Sequence, residues 1–313
     1  MVFKKGSGKH LLIPTFLMII LANLFCLSIF VSWRLDWLKI RATNKTAETK
    51  LDKYQHPQVP FVLAQSGLPL SAASYILVDN NTNAILISKN HDQIIFPAST
   101  TKLATALTAL NIYPLDELIT VKEKYSVGKI MNLQPNEKIT VKSLVTALLV
   151  YSANDAAFNL ASHHQGGING FIDQMNLIVS KHGLKNTHFA NYDGIDSPNN
   201  YSSVYDLAQI GRIAIKNPVI REVVKNKTIT VTDISGNIKH QLISTNELLG
   251  LLPEIEGLKT GWTPEAGGSF VGLIKQDGHY LISVVADSTD RFADTRQLVD
   301  WAKKNVTWVD YQP

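Results

Sequence analysis

Ser99 and Lys102 lie three residues apart in the stretch Pro97-Ala98-Ser99-Thr100-Thr101-Lys102-Leu103-Ala104-Thr105-Ala106-Leu107. Residues at that spacing share a helix face, so the lysine amine can reach the serine hydroxyl. A serine hydroxyl is a weak nucleophile until a base removes its proton. Lysine serves as that base only where burial or nearby positive charge lowers its pKa. A helix N-terminus at Ser99 would add backbone N–H groups able to stabilise an oxyanion. Taken alone, the pair also fits an ordinary helix surface. The same spacing recurs at Ser126 and Lys129, where Gly128 and the charged flank argue against a helix.

Two further groups carry chemistry. Ser152-Ala153-Asn154 sits between the apolar helical runs VTALLVY and DAAFNLA. A hydroxyl and an amide in such a run are costly to bury unless paired. The plainer reading is a helix–helix corner with Asp155 as a cap. Lys259-Thr260-Gly261 occurs once, just ahead of the β-rich run GGSFVGLIKQ. On a strand, Lys259 and Gly261 would point one way and Thr260 the other. A lysine and a hydroxyl beside a glycine that admits a ligand backbone would make a carboxylate-binding strand edge. The plainer reading is a β-turn with a solvated lysine.

These residues need elements to position them. SYILVDNNTNAILIS reads as a β-hairpin around an Asp-Asn-Asn-Thr-Asn turn. Asp79, Asn81 and Asn83 have the spacing of a calcium loop, but Ala84 and Asn90 stand where glycine and the last acidic ligand belong, so a plain turn is expected. Helical patterns run over 99–112, 141–164, 168–181, 204–216 and 293–304. Strands are predicted in KTITVTD, GGSFVGLIKQ and YLISVVAD. Strand, helices, then strands closing with a helix implies one sheet assembled from both ends of the domain, an α+β architecture. His163, His164, His182 and His188 form no metal pattern with nearby acids, and no metal or cofactor is expected.

The 313 residues carry 30 Lys+Arg against 26 Asp+Glu, a net charge of +4 too mild and scattered for nucleic-acid binding. The single cysteine, Cys26, rules out an intrachain disulfide framework. It lies in LLIPTFLMIILANLFCLSIFVSW, residues 11–33, which has no charge and enough helix to cross a hydrocarbon core of about 30 Å. A cleaved signal peptide has a shorter apolar core and small residues at the cut, whereas this run ends in Phe30, Val31 and Trp33. The expected organisation is a cytoplasmic tail (1–10), a transmembrane anchor (11–33), a stalk (34–65) and a catalytic domain (66–313) outside the membrane. Lysines and arginines flank the run on both sides, so charge alone leaves its orientation open.

Ser-x-x-Lys, Ser-x-Asn and Lys-Thr-Gly in that order resemble the triple signature of penicillin-binding proteins and serine β-lactamases. FPASTTKLATALTAL, LVTALLVYSANDAAFNLA, FIDQMNLIVSKHGLKNTHFAN and GLKTGWTPEAGGSF further resemble the D-alanyl-D-alanine carboxypeptidase family, from about Ser74 to Lys304. The resemblance implies a β-lactamase/penicillin-binding-like transpeptidase fold, an antiparallel sheet flanked by helices. It also implies that Ser99 attacks the carbonyl between the two D-alanines of a peptidoglycan stem peptide while Lys102 takes its proton. Ser152 would relay a proton to the leaving D-alanine, and Asn154 would hold the substrate amide and Lys102. Lys259 and Thr260 would bind the terminal carboxylate beside Gly261. The N–H groups of Ser99 and Trp262 would form the oxyanion hole, and β-lactams would acylate Ser99. Relatives often have His-Gly where this chain has Asp193-Gly194. Many also carry a β-rich domain and an amphipathic anchor after the catalytic domain, whereas only about fifty residues follow Lys-Thr-Gly here. No glutamate occurs from Asp155 to Ile220, which argues against a class A β-lactamase. A D,D-endopeptidase would use identical machinery, and a silent, membrane-tethered muropeptide-binding scaffold is the alternative from another class.

Overall fold

The computed structural model describes residues 12–51, 57–64 and 67–311. The chain divides into two units, described separately: one holds the long helix α1 (Leu12–Leu51), the other spans Gln58–Val309. Among the described residues, no helix is long and apolar enough to cross a membrane. The expected cytoplasmic tail, the first residue of the expected anchor and several side chains along it lie outside the described residues.

The larger unit begins with β1 (Gln58–Val62) and the hairpin β2 (Ser74–Asp79) and β3 (Ile85–Lys89). Asp79 closes the hairpin turn: its Oδ1 accepts from the N–H groups of Asn81 and Thr82 and from the Thr82 hydroxyl. Then follow α2 (Lys102–Ile112), β4 (Leu118–Thr120), β5 (Lys138–Thr140), α3 (Val141–Val150), α4 (Asn154–Ser162), α5 (Gly167–Lys181), α6 (Val204–Ala214) and α7 (Pro218–Val223). The hairpin β6 (Thr228–Thr232) and β7 (Lys239–Ile243) leads into β8 (Ile255–Thr263), β9 (Gly267–Gln276) and β10 (His279–Ser288). Helix α8 (Arg291–Asn305) and β11 (Val306–Asp310), which pairs with β1, complete the chain.

The main sheet has the order β3-β2-β10-β9-β8, and every neighbouring pair is antiparallel. It is the expected α+β architecture, with strands from both ends of the chain meeting at β2 and β10. Alternate residues face opposite sides of a strand. Ile76, Val78, Val271, Leu273, Ile282 and Val284 join a core with the helical body α2–α6. Tyr75, Leu77, Phe270, Ile274, Leu281 and Val285 join a second core with Leu298, Val299 and Trp301 of α8. Both faces are covered, which is why these strands read as nearly continuous apolar runs.

The predicted helical stretch 141–164 is two helices with a corner at residues 151–153. Asp155 does not cap the second. Its carboxylate accepts from the N–H groups of Met131 and Leu133, and so anchors the loop between β4 and β5. The imidazole of His240 holds the same loop, with Nδ1 3.0 Å from the Met131 carbonyl and Nε2 2.7 Å from Glu137 Oε1.

Asp294 ties the start of β2 to the end of β10, where the two strands pair. Its buried carboxylate accepts from the N–H groups of Ser71 and Ala72 and from the hydroxyls of Ser71 and Ser288. Replacing Asp294 with alanine strands buried donors, so a loss of about 3 kcal/mol is expected. Urea denaturation of the two proteins checks this, and a change below about 0.5 kcal/mol would mean that the ends are held by packing alone.

Candidate active site

The turn before α2 is a single 3-10 turn, Ala98–Thr101, so Ser99 lies just ahead of the helix rather than within its first α-turn. Ala98 is held at φ +48°, a conformation that side chains rarely adopt. Lys102 is fully buried, and its ammonium donates to Ser99 Oγ at 3.0 Å and to the Asp193 carbonyl at 2.5 Å. Burial lowers the Lys102 pKa to about 8, against the opposing pull of the Asp193 carboxylate. Asp193 is itself buried, and its Oδ2 accepts from the Tyr125 hydroxyl at 3.1 Å. Gly194 follows at φ +85°, where a Cβ would stand 1.9 Å from the Ala98 carbonyl oxygen.

The corner between α3 and α4 supplies the second group. Ser152 adopts φ +70° and stays 7% exposed, between a helix that has ended and one that begins two residues later. Such a strained non-glycine backbone persists only where its surroundings over-determine it. Here the Ala153 N–H donates to the Ala147 carbonyl, and the Val150 carbonyl accepts from Thr245 N–H. The Asn154 N–H donates to the Lys129 carbonyl, and its side-chain amide donates to the Val127 carbonyl. Asn154 thus fastens the loop over the cleft. A Cβ on Gly128 would meet Asn154 Nδ2 at 2.4 Å.

Lys259, Thr260 and Gly261 lie on β8, not in a turn. Lys259 is 1% exposed, and its ammonium donates to the Thr260 carbonyl at 2.8 Å. Its pKa falls well below the ordinary lysine value, through burial first and then the positive charges of Lys102, Lys129 and Arg291. The Thr260 hydroxyl pairs with that of Thr245 at 2.6 Å. A Cβ on Gly261 would meet Ala98 Cβ and Ser99 N at 3.0 Å, so glycine lets the strand edge approach the 3-10 turn.

A cleft of about 270 Å³ joins the three groups: Ser99, Ser152, Asn154, Thr260, Gly261 and Trp262 all line it, with Lys102 and Lys259 buried beneath. Trp262 stands at its mouth, 61% exposed. Every site residue expected from sequence is therefore in or directly under one cleft. Lys129, Thr245 and Arg291 also line it and were not anticipated. Lys129 was visible only as the second, non-helical Ser-x-x-Lys spacing. Arg291, whose buried Nε has no hydrogen-bond partner, left no local signal. Among the described residues, no group of three or more His, Cys, Asp and Glu is arranged to hold a metal ion. A hydroxyl bonded to a buried amine, facing a second hydroxyl and a bank of cations, is equipped for acyl transfer from a substrate with a free carboxylate.

Substituting Gly194 with alanine forces a methyl into the Ala98 carbonyl and strains the backbone. A loss of at least about 2 kcal/mol is expected. Thermal melts of the two proteins test it. A variant of unchanged stability would mean that the 98–99 turn moves freely.

The family profile described as D-alanyl-D-alanine carboxypeptidase matches residues 62–290. The chain is 32% identical over 258 residues to the D-alanyl-D-alanine carboxypeptidase DacD of Escherichia coli K12, covering 77% of this chain and 65% of that protein. Against DacA of Haemophilus influenzae it is 32% identical over 252 residues, covering 75% and 63%. It thus spans a little under two thirds of the length of these relatives. Its fold is similar to the crystal structure of the Streptomyces K15 DD-transpeptidase, with a TM-score of 0.72 and 31% identity over 76% of this chain and 98% of that one. A penicillin-binding protein homologue of Mycobacterium tuberculosis follows at TM-score 0.71 and 26% identity, covering 77% and 95%. With its fold and more than two thirds of its length accounted for in this way, the chain belongs to the D-alanyl-D-alanine carboxypeptidase family.

Proposed function

We propose that the protein is a serine-type D-Ala-D-Ala carboxypeptidase that removes the terminal D-alanine of peptidoglycan stem peptides through an acyl-Ser99 intermediate. The observation that carries this reading is the 3.0 Å hydrogen bond between the buried Lys102 amine and the Ser99 hydroxyl, at the floor of a cleft rimmed by Thr260 and Ser152. Neutral Lys102 takes the Ser99 proton as Oγ attacks the penultimate D-alanine carbonyl. The N–H groups of Ser99 and Trp262 receive the oxyanion. The proton passes by way of Ser152 to the leaving amine, and water then releases the acyl group from Ser99. Lys259 and Thr260 hold the terminal carboxylate, Gly261 admits the substrate backbone, and Asn154 orients its amide. Arg291 and Lys129 add positive charge to the lining of the cleft. β-Lactams acylate Ser99 as mimics of the D-Ala-D-Ala end.

The same proposal extends to organisation: a tail at 1–10, a membrane anchor at 11–33, a stalk at 34–65 and a catalytic domain at 66–313 on the extracytoplasmic side. The uncharged run from 11 to 33 supports it, as do the exposed Leu24, Phe25, Leu27, Phe30 and Trp33 side chains of α1.

Two measurements test the chemistry. Fluorescent penicillin should form a stable adduct on Ser99, visible by intact mass and absent in Ser99→Ala. Label turning over within seconds would indicate a β-lactamase, and no adduct on folded protein would favour a binding scaffold. Secondly, the acylation rate should rise with pH through about 8, because the neutral fraction of Lys102 rises as pH passes its lowered pKa. A rate constant with pH from 6 to 9 would remove Lys102 from the role of base.

A further inference from the structure

Of the residues that line the cleft, Asp193 alone is acidic, among Lys129 and Arg291 in the lining and Lys102 and Lys259 beneath it. It is not an incidental surface acid. Its side chain is buried, and Oδ2 accepts from Tyr125 OH at 3.1 Å while Oδ1 accepts from Ile195 N–H at 3.3 Å. Tyr125 is held in turn, its ring stacked on Phe158 of α4 with centroids 4.9 Å apart. Thr105 of α2 donates to the Tyr192 carbonyl at 2.6 Å. The β4–β5 loop, α4, α2 and the 190s loop therefore converge on one carboxylate. The same residue's main-chain carbonyl receives the Lys102 ammonium.

We propose that Asp193 is a positioning residue for acylation: its carboxylate, fixed by Tyr125, is the counter-charge against which Lys102 gives up and regains its proton. The inference rests on the reading of Lys102 as the base. The other charged groups of the pocket are positive: Lys259 of β8, which Lys102, Lys129 of the loop and Arg291 at the start of α8 all repel. The other acid of this region, Asp155, is occupied by the Met131 and Leu133 N–H groups, and the hydroxyls of Tyr125 and Tyr192 stay protonated because burial raises both above the ordinary tyrosine value. Asp193 alone offsets the desolvation of Lys102, and it does so from a fixed position. An opposite charge at close range favours the ammonium. Asp193 thus keeps the amine charged and hydrogen-bonded to Ser99 in the resting enzyme, and places its release of the proton in the mildly alkaline range.

The test is the pH profile of acylation by penicillin on the full chain, followed by intact mass from pH 5.5 to 9.5, for wild type, D193N, D193S and D193E. The neutral variants should move the midpoint toward acid by about one pH unit, so that at pH 6 they acylate several-fold faster relative to their own plateau than wild type does. D193E, which keeps the charge, should stay within about 0.3 unit of wild type. Two different neutral side chains are used so that one folded variant suffices. A folded neutral variant that titrates at the wild-type midpoint, even with a lower plateau, overturns the proposal and leaves Asp193 a purely structural residue. A flat wild-type profile overturns the base role of Lys102 itself, and the two failures are told apart by the wild-type curve alone.

Discussion

The site depends on keeping two lysines dry. An ammonium in water has no tendency to act as a base near neutrality, and the cost of removing it from water is what makes its proton available. Lys102 and Lys259 are both essentially sealed from solvent, and each repels the other. Every hydrogen bond that their ammonium groups make ends on a neutral oxygen: the Ser99 hydroxyl, the Asp193 carbonyl and the Thr260 carbonyl. Neutral acceptors satisfy the amines without fixing the charge as a salt bridge would. The negative charge that acts on Lys102 sits on the side chain of Asp193, where a tyrosine occupies one of its oxygens.

That arrangement dictates how the chain is folded around it. No single helix or strand can surround an amine, so the walls come from distant parts of the sequence: the 98–101 turn, the 150s corner, the 190s loop and the β8 edge. Bringing four backbones so close requires unusual local geometry. Ala98 and Ser152 hold positive φ without being glycine, while Gly194 and Gly261 sit where a side chain would strike the 98–99 backbone. The strain is carried by rigid surroundings, with the Asp155 carboxylate and His240 pinning the β4–β5 loop from behind.

Much of this was legible in the sequence because the relevant signals are local. Ser99 and Lys102 share one helical turn, and Thr260 and Gly261 share one strand, so spacing alone proposed their juxtaposition. The long sheet strands β9 and β10 were readable from sustained apolar runs. The short pairs β4–β5 and β6–β7 were not all visible, since a three-residue strand such as Lys138–Thr140 buries a single apolar side chain, Ile139, and offers no period to detect. Lys129 and Arg291 were missed for a different reason. Their place in the cleft follows from how a loop folds back and where a helix starts, and neither is encoded near the residue itself. The plainer reading of Ser152, a helix–helix corner, holds alongside its place in the cleft. Asp155 is not the cap of that reading, however: a carboxylate at the start of a helix looks like a cap until the loop it holds is in view.

Strand β8 ends the main sheet. The 97–99 backbone lies over its face at Gly261, closer than a methyl group would allow. The segment carrying Ser99 and the strand carrying Lys259 and Thr260 therefore meet with no side chain of residue 261 between them. Such a contact leaves no soft group to absorb movement, so a shift of the strand is passed directly to the turn, and the two halves of the cleft keep their spacing as one piece.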